Sequence, residues 1–136
     1  MILTKTRAVT GITVATSLTD LVVFDTDQPN TGDRNALLGN YSLCNIEVKN
    51  TDGADAFDQF RVLMKYHESG DWQTVLDTGD YAATGNTLLY VSTPPDVLAA
   101  GATALLHLFI GCPYALKIQA AGAAAAAAEI RTMLAS

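Results

Sequence analysis

A chain of 136 residues holds enough material for one domain with one genuine core, and 49% apolar residues exclude a chain that stays disordered. Only 16% of residues are charged, below the usual quarter, so much of the surface is Thr, Ser, Asn, Ala and Gly, which a neighbour can cover without desolvating many ions. The net charge of −6 joins 14 acidic to 8 basic residues, and the cations are scattered singly, which excludes the clusters that direct nucleic-acid binding draws on.

Residues 1–16 hold short β-prone pieces and read as an extended N-terminal arm or an edge strand, ahead of a single domain over 17–136. Residues 18–24 are a denser strand, and residues 25–40 carry Asp, Gln, Pro, Asn and Gly, which is loop chemistry. In residues 41–50, Cys44, Ile46 and Val48 fall on one face and Asn45, Glu47 and Lys49 on the other, a period of two. After a turn at 50–53, residues 58–67 alternate again: Phe60, Val62, Met64 and Tyr66 inward, Arg61 and Lys65 outward. A hairpin turn at 69–71 leads to a returning strand at 72–76, then a polar loop over 77–86 and a short strand at 87–92 that Pro94 and Pro95 stop. Residues 102–110 are apolar on both faces, the pattern of a central strand covered on each side.

The closing segment has two readings. Alanine has the best helix propensity, and Ala123 to Ala128 are an unbroken run. Yet Leu116 and Ile118 alternate with Lys117 and Gln119. Ala124, Ala126, Ala128, Ile130 and Thr132 likewise alternate with Glu129, Arg131 and Met133, so strand–turn–strand with Gly122 at a hairpin corner is favoured. Seven to nine short strands, with turns roughly every ten residues, predict an all-β, antiparallel β-sandwich, immunoglobulin-like or jelly-roll-like.

No stretch reaches the roughly 18 apolar residues of a membrane-spanning helix, and the first residues lack the pattern of a secretion signal, so folding in cytoplasm is expected. Cys44 and Cys112 make neither a metal spacing nor a redox pair. A disulfide between them stays open, but Cys44 sits on an apparent core face, where a thiol acts as a small hydrophobe.

Catalytic candidates are sparse. His67 lies beside Glu68 at a strand end, raw material for acid–base chemistry, but with no nucleophile motif near it reads as exposed. His107, inside the most apolar strand, reads as a hydrogen-bonded core or interface histidine. Asp52, Asp55 and Asp58, like Asp25, Asp27 and Asp33, lack a calcium-loop pattern and read as turn aspartates. Trp72 reads as a core plug, with an interface anchor as the alternative. The expectation is a protein that is not an enzyme, with no catalytic residue, cofactor or metal.

Two regions carry a resemblance. Asn45-Ile46-Glu47-Val48-Lys49-Asn50-Thr51 with Phe60-Arg61-Val62-Leu63-Met64 resembles paired strands of immunoglobulin-like virion domains. Residues 105–110, then Tyr114-Ala115-Leu116-Lys117-Ile118-Gln119-Ala120 and an alanine-rich last strand, resemble small structural proteins of tailed bacteriophages. The resemblance implies a virion subunit: a capsid decoration (cement) protein, or a head–tail or tail accessory subunit. It implies the major capsid protein or other virion subunits as partners, a homo-oligomer, no membrane, and assembly in the host cytoplasm. The arm residues Ile2, Leu3, Lys5 and Arg7 and the loop tyrosines Tyr81 and Tyr90 are the candidate interface. A carbohydrate- or receptor-binding module using Tyr81, Tyr90 or Trp72, and a small hydrolase using His67 or His107, are the rival classes.

Overall fold

The computed structural model describes residues 4–24, 41–77, 98–111, 113–122 and 124–136. The expected loop at 25–40, most of that at 77–86, the strand at 87–92, and Ile2, Leu3, Tyr81 and Tyr90 lie outside these residues.

Among the described residues eight strands run in chain order: β1 (Thr4–Val14), β2 (Thr19–Phe24), β3 (Leu43–Asn50), β4 (Phe57–Lys65), β5 (Gln73–Asp77), β6 (Thr103–Phe109), β7 (Ala115–Gly122) and β8 (Ala126–Ala135). All pairings are antiparallel: β1 with β8, β2 with β7, β3 with β6, β4 with β5. The chain is thus one long hairpin of nested pairs. Further ladders, β3 with β8 and β4 with β7, roll it into two four-stranded sheets, β1-β8-β3-β6 and β2-β7-β4-β5. That order is a jelly roll, and it decides between the two sandwich types the sequence left open.

The core is the space between the sheets. Cys44, Ile46 and Val48 of β3 and Leu106 and Leu108 of β6 are buried from one side, Phe60, Val62 and Met64 of β4 and Leu116 and Ile118 of β7 from the other. Phe57 and Phe60 pack edge to face, their ring centroids 5.9 Å apart. Burial pushes the free Cys44 thiol up to about 12 and it packs in the core as a small apolar group, while Cys112, its possible disulfide partner, lies outside the described residues.

The alanine run is a strand. Ala126 and Ala128 are buried, as are Ile130, Thr132 and Leu134, and β8 has a ladder on both sides. Those ladders and the buried face outweigh alanine's helix propensity, worth less than about 1 kcal/mol per residue. Gly122 does not make a hairpin corner, because β7 and β8 lie in different sheets. It sits at a crossing where a Cβ would come within 2.5 Å of the Ala124 carbonyl oxygen.

Residues 4–14 are a full edge strand, with Thr4 to Ala8 laddered to Ala135 through Arg131. A bulge separates Val9 from Ile12, and Gly11 takes φ +68° within it. The extra residue switches parity, so that Val9, Ile12 and Val14 all face inward.

Four other expectations are corrected. Tyr66 follows the end of β4 and is exposed, because the alternation stops with the ladder at Lys65. Asp77 belongs to β5 and is buried, held by Arg61 Nη2 at 2.7 Å and Gln59 Nε2 at 2.8 Å. Trp72 does not plug the core: it precedes β5, half-buried, with the Lys117 ammonium 4.5 Å and the Lys65 ammonium 5.8 Å from its ring centroid. Among the described residues β6 is the edge of its sheet, not a central strand, and only alternate residues of it are buried.

Asn50 ties the crossing from β3 to β4. Fully buried, it donates through Nδ2 to the carbonyls of Asp55 (2.8 Å) and Leu98 (3.1 Å), and its Oδ1 accepts the Asp52 amide (3.0 Å). Asp52 in turn accepts the amides of Asp55 (2.8 Å) and Ala54 (2.9 Å). Asn50→Ala strands the Asp52 amide and the Asp55 carbonyl and should lower unfolding free energy by about 2–3 kcal/mol in urea titration. The amides of Asp55, then Ala54, hold the Asp52 carboxyl below its ordinary value. A carboxyl lowered on folding adds stability that is complete above its unfolded-state value and lost as pH falls through its folded-state value. Urea midpoints taken from neutral to acid pH should therefore fall less steeply for Asp52→Asn than for the parent chain.

Candidate interaction surface

The two outer faces of the sandwich are chemically unlike. On the β2-β7-β4-β5 sheet several outward polar groups bond to one another. Gln119 Nε2 donates to Asp20 Oδ1 at 2.7 Å, and Arg61 donates to Asp77 Oδ2 through Nε at 3.0 Å and Nη2 at 2.7 Å. Lys65 and Lys117 lie over Trp72, and Leu63 is buried. That surface is closed on itself.

The outer face of the β1-β8-β3-β6 sheet is different. Its ladders place residues in rows across all four strands. One row runs Phe109, Leu43, Ala135, Thr4 from β6 to β1; the next runs His107, Asn45, Met133, Thr6; the third runs Leu105, Glu47, Arg131, Ala8. Leu105 is 54% exposed, Phe109 51%, Leu43 45% and Met133 37%. Four large apolar side chains thus share one face of a rigid sheet, the arrangement that marks a contact surface when it is contiguous. The lower two rows floor an open depression of ≈ 440 Å³.

Several polar groups on this face are paired. His107 Nδ1 lies 2.7 Å from Asn45 Oδ1. Arg131 Nη1 meets Glu47 Oε1 at 2.7 Å, and its Nη2 is 3.9 Å from Glu129. An exposed ion pair of this kind adds little to stability but sets a local charge pattern. His107 is therefore exposed on a sheet face, not a core residue. His67 is exposed too, its Nδ1 accepting the Ser69 amide at 3.1 Å within the β4–β5 turn.

Of the residues singled out in the sequence, Lys5 is described only in its backbone, paired with Leu134. Arg7 bridges the sheets within the molecule: its Nη1 donates to the Val23 carbonyl of β2 at 2.9 Å, and its guanidinium carbon is 5.8 Å from the Phe24 ring centroid. Leu43, Leu105, Phe109 and Met133 were not among the candidates. The signal for two of them was present, since residues 102–110 are apolar on both faces. That pattern predicts a strand covered on each side, and among the described residues the fold covers only one side.

No family model matches the chain, and no curated protein sequence does. Among solved structures, the chain is similar to the SPBc2 prophage-derived protein YomS. The two share 8% identity over 98% of this chain and 96% of that one, with a TM-score of 0.54. Weaker likenesses include a protein of the disulfide-linked pili of Bacillus endospore appendages (12% identity, 98% and 86% coverage, TM-score 0.47). Another is the STIV MCP (13% identity, 99% and 48% coverage, TM-score 0.39). The match to the prophage-derived protein shows a shared fold across nearly the whole length of both chains.

Leu105 and Leu106 test the face assignment directly, being adjacent in sequence and opposite in burial. Leu106→Ala should cost about 2–5 kcal/mol of unfolding free energy, as for a core leucine. Leu105→Ala should stay within about 0.5 kcal/mol of the parent. Urea midpoints of the two variants, measured side by side, read this out.

Proposed function

We propose that this chain is a non-enzymatic structural subunit of a phage particle, working through multivalent protein–protein contacts. In this reading it decorates and stabilises the capsid by binding the major capsid protein or other virion subunits. The observation that carries the reading is the outer face of the β1-β8-β3-β6 sheet, with Leu43, Leu105, Phe109 and Met133 exposed together on a fully laddered scaffold. A sheet held by ladders on every inner strand loses little entropy when covered, so modest apolar burial yields net attraction. Repetition on a particle then multiplies weak contacts through effective concentration. Sharing its fold with a prophage-derived protein supports the same direction.

The test is quantitative mass spectrometry of density-gradient-purified particles from the cells or phage that encode the chain. The proposal expects the chain in a fixed ratio to the major capsid protein, and loss of heat resistance in particles stripped of it. Recovery of the chain only in the soluble fraction, with particles of ordinary composition, would overturn it.

A further inference from the structure

In two of the three rows of the β1-β8-β3-β6 face, large apolar side chains on one half stand opposite small ones on the other. The β6 and β3 side carries Phe109, Leu43 and Leu105, while the β8 and β1 side opposite them carries Ala135, Thr4 and Ala8. Within the third row, Glu47 of β3 stands next to Arg131 of β8. A two-fold axis in the plane of contact, running along the strands between β3 and β8, turns each row end for end. It would lay Leu105 over Ala8 of the second copy, Leu43 over its Ala135, and Glu47 over its Arg131. Large meets small or acid meets base in these three contacts, the middle row lays Met133 over Asn45 of the second copy, and each contact occurs twice, as an isologous interface requires.

From this we propose that the face is occupied by a second copy of the chain, giving a back-to-back dimer of jelly rolls. The inference rests on reading this face as a protein contact surface, and it names the partner. Charge supports the choice. Two copies of a chain with net charge −6 repel each other, and they approach best through a neutral surface. Among the described outward residues of this face, Lys49 and Arg131 balance Glu47 and Glu129. The Arg131 and Glu47 side chains remain 59% and 39% exposed while paired, so each can take a second partner, forming a ring of two arginines and two glutamates.

Size sets the strength. Four strands about 4.8 Å apart and some eight residues long make a patch of roughly 500 Å² per copy. Twice that area is near the lower bound for a specific interface. The dimer is accordingly concentration-dependent when free, and secure when other contacts hold the copies together.

Sedimentation equilibrium of the full chain over a concentration series tests this, with Glu47→Arg and Arg131→Glu as variants. Both positions are exposed, and circular dichroism should show both variants folded. Each alone places like charges opposite each other and should weaken the dimer by about tenfold or more. An equimolar mixture of the two variants should restore the dimer, because a mixed pair again sets acid against base on both sides of the axis. Restoration cannot arise from a role within one chain, since each variant keeps its own internal like-charge pair. A parent chain that is monomeric at every soluble concentration would overturn the pairing, as would a dimer indifferent to both substitutions or a mixture that stays dissociated. Each of these leaves the virion reading standing or falling separately on the composition of purified particles.

Discussion

The molecule depends on apolar burial between two sheets that share no ladder. Among the described residues every strand ladder lies within one sheet or the other, while the chain passes from sheet to sheet between most consecutive strands. What holds the layers together is the contact of their inner faces, reinforced at a few points: the Arg7 guanidinium on the Val23 carbonyl, and Asn50 at the β3–β4 crossing. The inner residues therefore have to be apolar and well packed. A buried Leu, Ile or Phe contributes on the order of 1.5–3 kcal/mol through area removed from water. The outer residues are under no such demand, which frees them for other work.

How each outer face uses that freedom separates them. One binds its polar groups to one another and lays lysine stems over Trp72, leaving little for a partner to gain. The other keeps large apolar side chains in the open on β3, β6 and β8 and balances its few charges. Exposed apolar side chains contribute nothing to the fold and raise the risk of unwanted association, so a cluster of them on one rigid face points to a covering partner. The edge position of β6 adds to this, since an edge strand normally carries charged or blunting residues, and this one carries Leu105 and Phe109.

Local periodicity was legible in the sequence, and the identity of the covering layer was not. The alternation of Cys44, Ile46 and Val48 against Asn45, Glu47 and Lys49 appears in the fold unchanged, and the alanine-rich end is a strand in which Ala126, Ala128, Ile130 and Thr132 share the buried face, while Ala124 precedes it. Strand order was hidden because it depends on nested long-range pairing that no local pattern encodes. The Gly11 bulge shifts the inward positions from Val9 to Ile12, which a strict period of two places on opposite faces. β6 shows the limit most clearly: a strand apolar on both faces reads alike whether its second cover is its own chain or another molecule. Trp72 misled for a related reason, since a lone tryptophan is usually buried but here serves as a platform for two lysines.

The central claim is that the outer face of the β1-β8-β3-β6 sheet is covered by protein in the assembled state. Hydroxyl-radical footprinting of the free chain and of the chain in purified particles measures this residue by residue. Met133 and Phe109 should be oxidised readily in the free chain and strongly protected in the particle. Equal oxidation of both residues in the two states would contradict it.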